Sequence, residues 1–275
     1  MADVFPGASV LLAALLAGAG VHLAVPPLMP LFRRYAMARP NARSSHRIAT
    51  PQGGGLPIVA AVVLVAAAFA LAGLTRSVPL EIARYHTLAL FAGVALGLLG
   101  AADDIRPMPA TTRLAMQTIL AAVVVFAAPE HWRLLPGTVP AALERAVTVV
   151  AFVWMVNLTN FMDGIDGIVV AEAAPVAAAL ALFGIAGVLD GKAAIVAAAL
   201  CGALLGFAPH NRHPARLFLG DVGSLPIGFL LAALLFELAA TAGVAAALLL
   251  PLYFLVDATG TLVAGLRAGH DVMRA

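Results

Sequence analysis

Charge is what this sequence has least of. Of its 275 residues only 11% are Asp, Glu, Lys or Arg, against 63% hydrophobic, and the mean hydropathy is +1.01. A soluble domain cannot hide that much apolar surface, so the composition predicts an all-α, polytopic membrane protein. Cysteine is almost missing: Cys201 stands alone in an apolar run, which excludes an intrachain disulfide and marks it as a small buried hydrophobe. The apolar runs show no polar–apolar alternation, which excludes a β-barrel. No G-x-x-x-x-G-K-[ST] loop is present, so an ATP-driven pump is not indicated, and no His/Cys set has zinc-ligand spacing. A formal charge of +2, with basic residues scattered among loops, is too small to suggest nucleic acid as a partner. The N-terminal MADVFPGASVLL has no basic region ahead of its apolar run, and reads as a retained first span rather than a cleaved signal.

What is present is a series of apolar runs near the roughly 20 residues a spanning helix needs. They predict helices at about 8–31, 55–74, 86–102, 113–128, 143–160, 167–188, 193–209, 222–239 and 243–265, nine spans in one membrane-embedded unit covering 1–275. With the N-terminus outside, eleven of the sixteen Lys and Arg residues fall in inner segments. The positive-inside rule then favours an external N-terminus and a cytoplasmic C-terminus. In that frame 33–54, 103–112, 161–166 and 210–221 are all cytoplasmic.

Carboxylates cost about 2.5–3.5 kcal/mol each at a helix centre on insertion scales, so clusters of them mark function. Five of the nine aspartates fall in three polar interruptions on that one side. GLLGAADDIRP ends the third span with Asp103 and Asp104, whose side chains point about 100° apart and can take different partners. A plain helix end is a poor explanation, because Asp there faces the negative end of the dipole. NLTNFMDGIDGI closes the fifth span, with Asn157, Asn160, Asp163 and Asp166 every three residues on one helical surface. Their oxygens suit a hard cation or a nucleotide sugar. LFLGDVGS places Asp221 at the start of the eighth span, either as a simple N-cap or as a metal ligand or phosphate-facing group. RPNARSSHRIATPQGGG adds phosphate donors at Arg43, Ser45 and His46 and a closely approachable loop at Gly54. Asp257, inside the ninth span, suggests bundle-interior hydrogen bonding or support for the site. Together these groups suit Mg2+ with phosphates, and transfer of a phosphoryl-linked group to a lipid.

Four segments, RSSHRIATPQGGG, GAADDIRPMPATTRLAMQ, NLTNFMDGIDGI and PARLFLGDVGS, resemble in order and spacing the polyprenyl-phosphate N-acetylhexosamine-1-phosphate transferases, from about residue 37 onward. The wording is closest to the bacterial O-antigen-initiating branch. The resemblance implies that a UDP-N-acetylhexosamine and undecaprenyl phosphate give undecaprenyl-diphosphate-sugar and UMP with Mg2+, or Mn2+ in its place. It implies Asp221 and Asn160 as metal ligands, and Asp103 and Asp104 as catalytic groups on the lipid phosphate. Asn157, Asp163, Asp166, Arg43, Ser45, His46 and Gly54 would bind substrate, and a homodimer is consistent with the family. Ala38 and Gln52 depart from its pattern, and the closing GLRAGHDVMRA suggests that a C-terminal loop and last helix are missing. A catalytically inactive homologue and a transporter are the competing readings. A transporter would place its acids near mid-span, and only Asp257 is deep.

Overall fold

Small residues decide how closely these helices approach. The structure is a computed structural model that describes residues 6–38, 49–75 and 78–267. In chain order its helices are α1 (Pro6–Tyr35), α2 (Gly55–Leu71), α3 (Leu80–Ile105), α4 (Ala110–Phe126), α5 (Ala141–Met162), α6 (Ile168–Ile185), α7 (Gly191–Asn211), α8 (Asp221–Ala242), α9 (Val244–Leu249) and α10 (Leu252–Arg267). Six of them, α1, α3, α5, α6, α7 and α8, are long and apolar enough to cross a membrane. The apolar α2 and α4 have 17 residues each, a rise of about 26 Å. Leucines such as Leu23, Leu64, Leu71 and Leu182 are exposed on the outside of the bundle, where hydrocarbon replaces water as solvent. The protein is an all-α polytopic membrane protein.

Helix α8 is the axis. Its apolar run is buried along its whole length, packed by α2, α3, α5, α6 and α9. Between lipid-solvated helices the attraction comes from close packing, so small residues occupy the crossings. Gly202 and Gly206, four apart on α7, lie directly against the Ala14 and Gly18 backbone of α1. At the other crossings Gly100 of α3 sits on the carbonyl of Asp221, and Gly55 of α2 on Gly223 of α8. A Cβ at any of these positions would collide with backbone. The two glycine contacts on α8 thus bring the starts of α2 and α8 and the end of α3 to one place. At the opposite end Tyr85, Trp132 and Phe236 pack edge to face, with Phe152 and Phe229 continuing the stack.

Two expectations are corrected. The span read at 243–265 is broken: Leu250 and Pro251 separate α9 from α10, as expected where Pro removes a helix hydrogen bond. Asp257 does not enter the bundle interior and is exposed on α10. Helix α1 also runs past its expected end at 31, through Pro26, Pro27 and Pro30 to Arg33, Arg34 and Tyr35, whose cations suit a helix C-terminus. A small element not expected from the sequence lies beside α8. Strand β1 (Met37–Ala38) pairs antiparallel with β2 (Thr50–Pro51), and Gln52 bridges to Phe218. Gly54 and Gly55 then donate to the carbonyls of Phe218 and Leu219, both at 2.9 Å.

Candidate active site at one end of the bundle

Asp221 is the hub where the polar segments meet. It is the first residue of α8, with Gly220 as N-cap, so its carboxylate does not cap its own helix. Asp104 does that: its two oxygens accept from the Asp221 and Val222 N–H groups at 3.1 and 3.2 Å. A carboxylate on the unsatisfied N–H groups of a helix start is favoured by both hydrogen bonding and the dipole. Gly220 is needed between them, since it has φ of 75° and a Cβ would stand 2.7 Å from Asp104 Oδ2. Gln52 donates to the Asp104 carbonyl at 3.2 Å, tying α2's approach segment to the end of α3.

Asp103 takes different partners from its neighbour, as adjacent helix positions allow. Its Oδ1 accepts from Met108 N–H at 2.6 Å and its Oδ2 from the Arg113 guanidinium at 2.8 Å. The same Arg113 nitrogen lies 3.3 Å from Asp221 Oδ2. Asn160 donates to Asp221 Oδ1 at 2.7 Å and to Ser224 Oγ at 2.9 Å. Asp163, the C-cap of α5, completes the group. Burial pushes its carboxyl well above the ordinary carboxylate range, and the charges of Asp221 and Asp104 push it the same way, against one hydrogen bond from Gly220 N–H. Four carboxylates therefore share one patch in which Arg113 is the paired cation among the described residues. The donor set of carboxylates and a side-chain amide fits a hard divalent cation that keeps part of its shell for phosphate oxygens.

The other expected residues have other tasks. Asp166 leaves the α5 surface because the helix ends at Met162. Its Oδ2 accepts from Ala215 N–H at 3.0 Å and pairs with His213 at 2.9 Å, bracing the loop before α8. The helical phase expected through Asp166 is corrected accordingly. Asn157 donates to Gln117 at 2.7 Å, one turn from Asn160. Gly54 is buried against Phe207 and the Phe218 carbonyl, a packing position under the site. Arg43, Ser45 and His46 lie outside the described residues. Arg113, Gln52 and Ser224 were not expected as site members. Arg113 has the clearest sequence signal, a cation in the first turn of the helix that follows the Asp pair.

A family model described as glycosyl transferase family 4 matches residues 86–239. Similar curated proteins include a decaprenyl-phosphate N-acetylglucosaminephosphotransferase of Mycobacterium tuberculosis, 34% identical over 232 residues, or 77% of this chain and 56% of that protein. A phospho-N-acetylmuramoyl-pentapeptide-transferase of Symbiobacterium thermophilum is 32% identical over 248 residues, 81% of this chain and 72% of that protein. One with the same name from Bacillus subtilis is 30% identical over 224 residues, 74% and 67% of the two chains. The chain spans about half the length of the mycobacterial relatives it matches.

Proposed function

The chain belongs to glycosyl transferase family 4, and from that membership we propose that it transfers a sugar 1-phosphate from a nucleotide sugar to a polyprenyl phosphate in the membrane. The donor we propose is a UDP-N-acetylhexosamine and the acceptor undecaprenyl phosphate, with UMP released, as the first step of O-antigen or a related envelope glycan. The positive-inside count supports a reaction on the cytoplasmic face. The observation that carries the reading is the meeting of Asp103, Asp104, Asp163 and Asp221 with Asn160 and Arg113 at one end of the bundle.

Asp221 and Asn160 would hold Mg2+, which when bound supplies positive charge against the phosphates of donor and acceptor. The chain's own groups do the rest. Arg113 spans Asp103 and Asp221 and fixes both carboxylates. Asp104 holds the start of α8, and so holds Asp221 in place. A phosphate monoester has a second pKa near 6, so most of the lipid phosphate is dianionic at neutral pH and attack needs no obligatory base. One of its oxygens bonds to the β-phosphorus of the donor. The bond from that phosphorus to the bridging oxygen breaks, and UMP leaves with the electron pair. Asp103 would orient the acceptor or take its residual proton.

The test incubates purified protein with undecaprenyl phosphate, Mg2+ and a panel of UDP-sugars, and follows UMP release. Release with at least one UDP-N-acetylhexosamine, lost in Asp221→Asn, is the expected result. No release from any sugar would refute the transfer and leave a lipid-phosphate-binding homologue.

A further inference from the structure

A second cluster of ionisable groups lies at the far end of the bundle, and the reaction above does not use it. His86 is 18 positions before Asp104 on α3, about 27 Å along the helix. Glu237 is correspondingly far along α8 from Asp221, and Asp190 is the N-cap of α7. Each carboxylate has one oxygen committed to backbone. Asp190 Oδ1 accepts from Lys192 and Ala193 N–H at 2.6 and 3.2 Å, and Glu237 Oε1 accepts from Asp190 N–H at 2.9 Å. The remaining oxygens converge on one atom: His86 Nε2 lies 2.8 Å from Asp190 Oδ2 and 2.7 Å from Glu237 Oε2.

One imidazole nitrogen offers one proton or one lone pair. The hydrogen bond goes to Asp190, and Glu237 Oε2 is left buried with none, on a residue only 1% exposed. A buried carboxylate oxygen with no hydrogen bond, facing only the shared imidazole nitrogen at 2.7 Å, is costly. The neighbouring cations are engaged elsewhere. Lys192 Nζ lies on Ala83 O and Thr87 Oγ1 at 3.3 and 3.4 Å, while Arg145 is held by the carbonyls of Val125 and Pro129 at 3.0 and 2.7 Å. Tyr85, next to His86, gives its hydroxyl proton to Ala233 O at 2.9 Å. A metal-bound imidazole is neutral, and beside it the two carboxylates carry a double negative charge that a divalent cation cancels.

The geometry points to a metal centre here, formed by His86 Nε2, Asp190 Oδ2 and Glu237 Oε2, that takes a divalent transition-metal ion of the zinc type and clips α3, α7 and α8 together. All three ligand atoms lie within 4.8 Å of one another. An imidazole with two carboxylates suits zinc or its neighbours, whereas Mg2+ and Ca2+ prefer oxygen alone. Bonds of about 2.0–2.1 Å in tetrahedral array put ligand atoms about 3.3 Å apart, so the His86 nitrogen draws back from each carboxylate oxygen by about half an ångström on binding. A cavity of about 410 Å³, lined mainly by apolar side chains such as Val63, Leu90 and Phe91 with Thr87 and Lys192, touches the cluster at His86.

The experiment uses the full chain in detergent with Asp221→Asn, which silences the other cation site. Protein stripped with chelator and given Zn2+ should retain one equivalent through desalting. Its unfolding midpoint should rise by about 5 °C at a hundredfold excess over Kd, with Mg2+ giving no rise. Co2+ in place of Zn2+ should give the visible bands of a four- or five-coordinate N/O site. Glu237→Gln and Asp190→Asn should each lower zinc retention by more than tenfold. Should Glu237→Gln fail to fold, the zinc shift and the cobalt spectrum of the parent still decide. No zinc shift and no cobalt bands would overturn the site and leave a histidinium held between two carboxylates. Equal retention by folded Glu237→Gln would overturn it too.

Discussion

Gly223→Ala tests whether the glycine crossings place the aspartates. An added Cβ would stand 2.5 Å from Leu219 Cδ1 and 2.6 Å from Gly55 Cα, where ordinary contact begins at 3.4 Å. Leu219 can rotate, but the Gly55 backbone cannot, so α2 must withdraw from α8 by about 0.8 Å. That would stretch the 2.9 Å bond from Gly55 N–H to Leu219 O past hydrogen-bonding range. Overpacking costs about 1–3 kcal/mol and the lost backbone bond about 1 more. For a chain of this size the two lower the unfolding midpoint by about 5–15 °C. Gln52, three residues before Gly55, reaches Asp104 at 3.2 Å, so the same withdrawal loosens the start of α8. A displacement of about 1 Å at a reacting centre costs roughly a hundredfold in rate. The assay pairs thermal unfolding in detergent with UMP release. Gly20→Ala is the control: no atom lies within 4 Å of its would-be Cβ, and in a helix interior the change is neutral or stabilising by about 0.5–1 kcal/mol. A Gly223→Ala protein as stable and as active as Gly20→Ala would refute the reasoning.

Asp163→Asn should be more stable than the parent at high pH. A carboxyl whose folded pKa is raised loses folded-state stability as pH climbs from its ordinary value toward the raised one, and the amide has no charge to develop. The midpoint difference should therefore widen from pH 4 to pH 8; a difference that shrinks would contradict the burial argument. Arg113→Lys keeps the charge but not the reach to both Asp103 and Asp221, and turnover should fall about tenfold to a hundredfold with folding intact by size-exclusion chromatography. Gly202→Leu should force α1 off α7 and unfold the protein at ordinary growth temperatures, as measured by recovery of monodisperse material. Glu144→Gln removes the charge that receives Arg133 Nε at 3.2 Å and Leu134 N–H at 2.5 Å, and should cost about 1.5–3 kcal/mol in a denaturation series with no change in turnover per folded molecule.

The parts of this molecule written in contiguous residues were readable. Apolar run length located each helix except the ninth, where Pro251 stood in view but the surrounding hydropathy outweighed it. Asp103 and Asp104 take separate partners because adjacent helix positions diverge, which the sequence states directly. Asn157 to Asp166 misled, since a three-residue spacing implies a shared surface only while the helix lasts, and α5 ends at Met162. Arg113 lies only ten positions after its partner Asp103, but its pairing with Asp221 spans 108 positions and has no local signal. The His86, Asp190 and Glu237 cluster was illegible for the same reason, with 104 positions between its first two members and no local spacing to betray it.

Acid and glycine occur together at the site for a physical reason. Carboxylates near one another repel, and no side chain of ordinary size could be placed between the helices that carry them without enlarging the patch. The glycines at 55, 100 and 223 remove the intervening bulk, so backbone N–H groups of α8 come within 3.1–3.2 Å of Asp104 and absorb part of its charge. Asp221 receives one amide and a long contact from Arg113, and Asp163 stays above the ordinary carboxylate range beside it. The polypeptide thus satisfies the carboxylate that holds the helix start and leaves Asp221 and Asp163 with fewer partners than a fully charged pair needs. For the reaction proposed above, a site with that imbalance would suit a cation bearing phosphate ligands, and so would help bring the two phosphorylated substrates together.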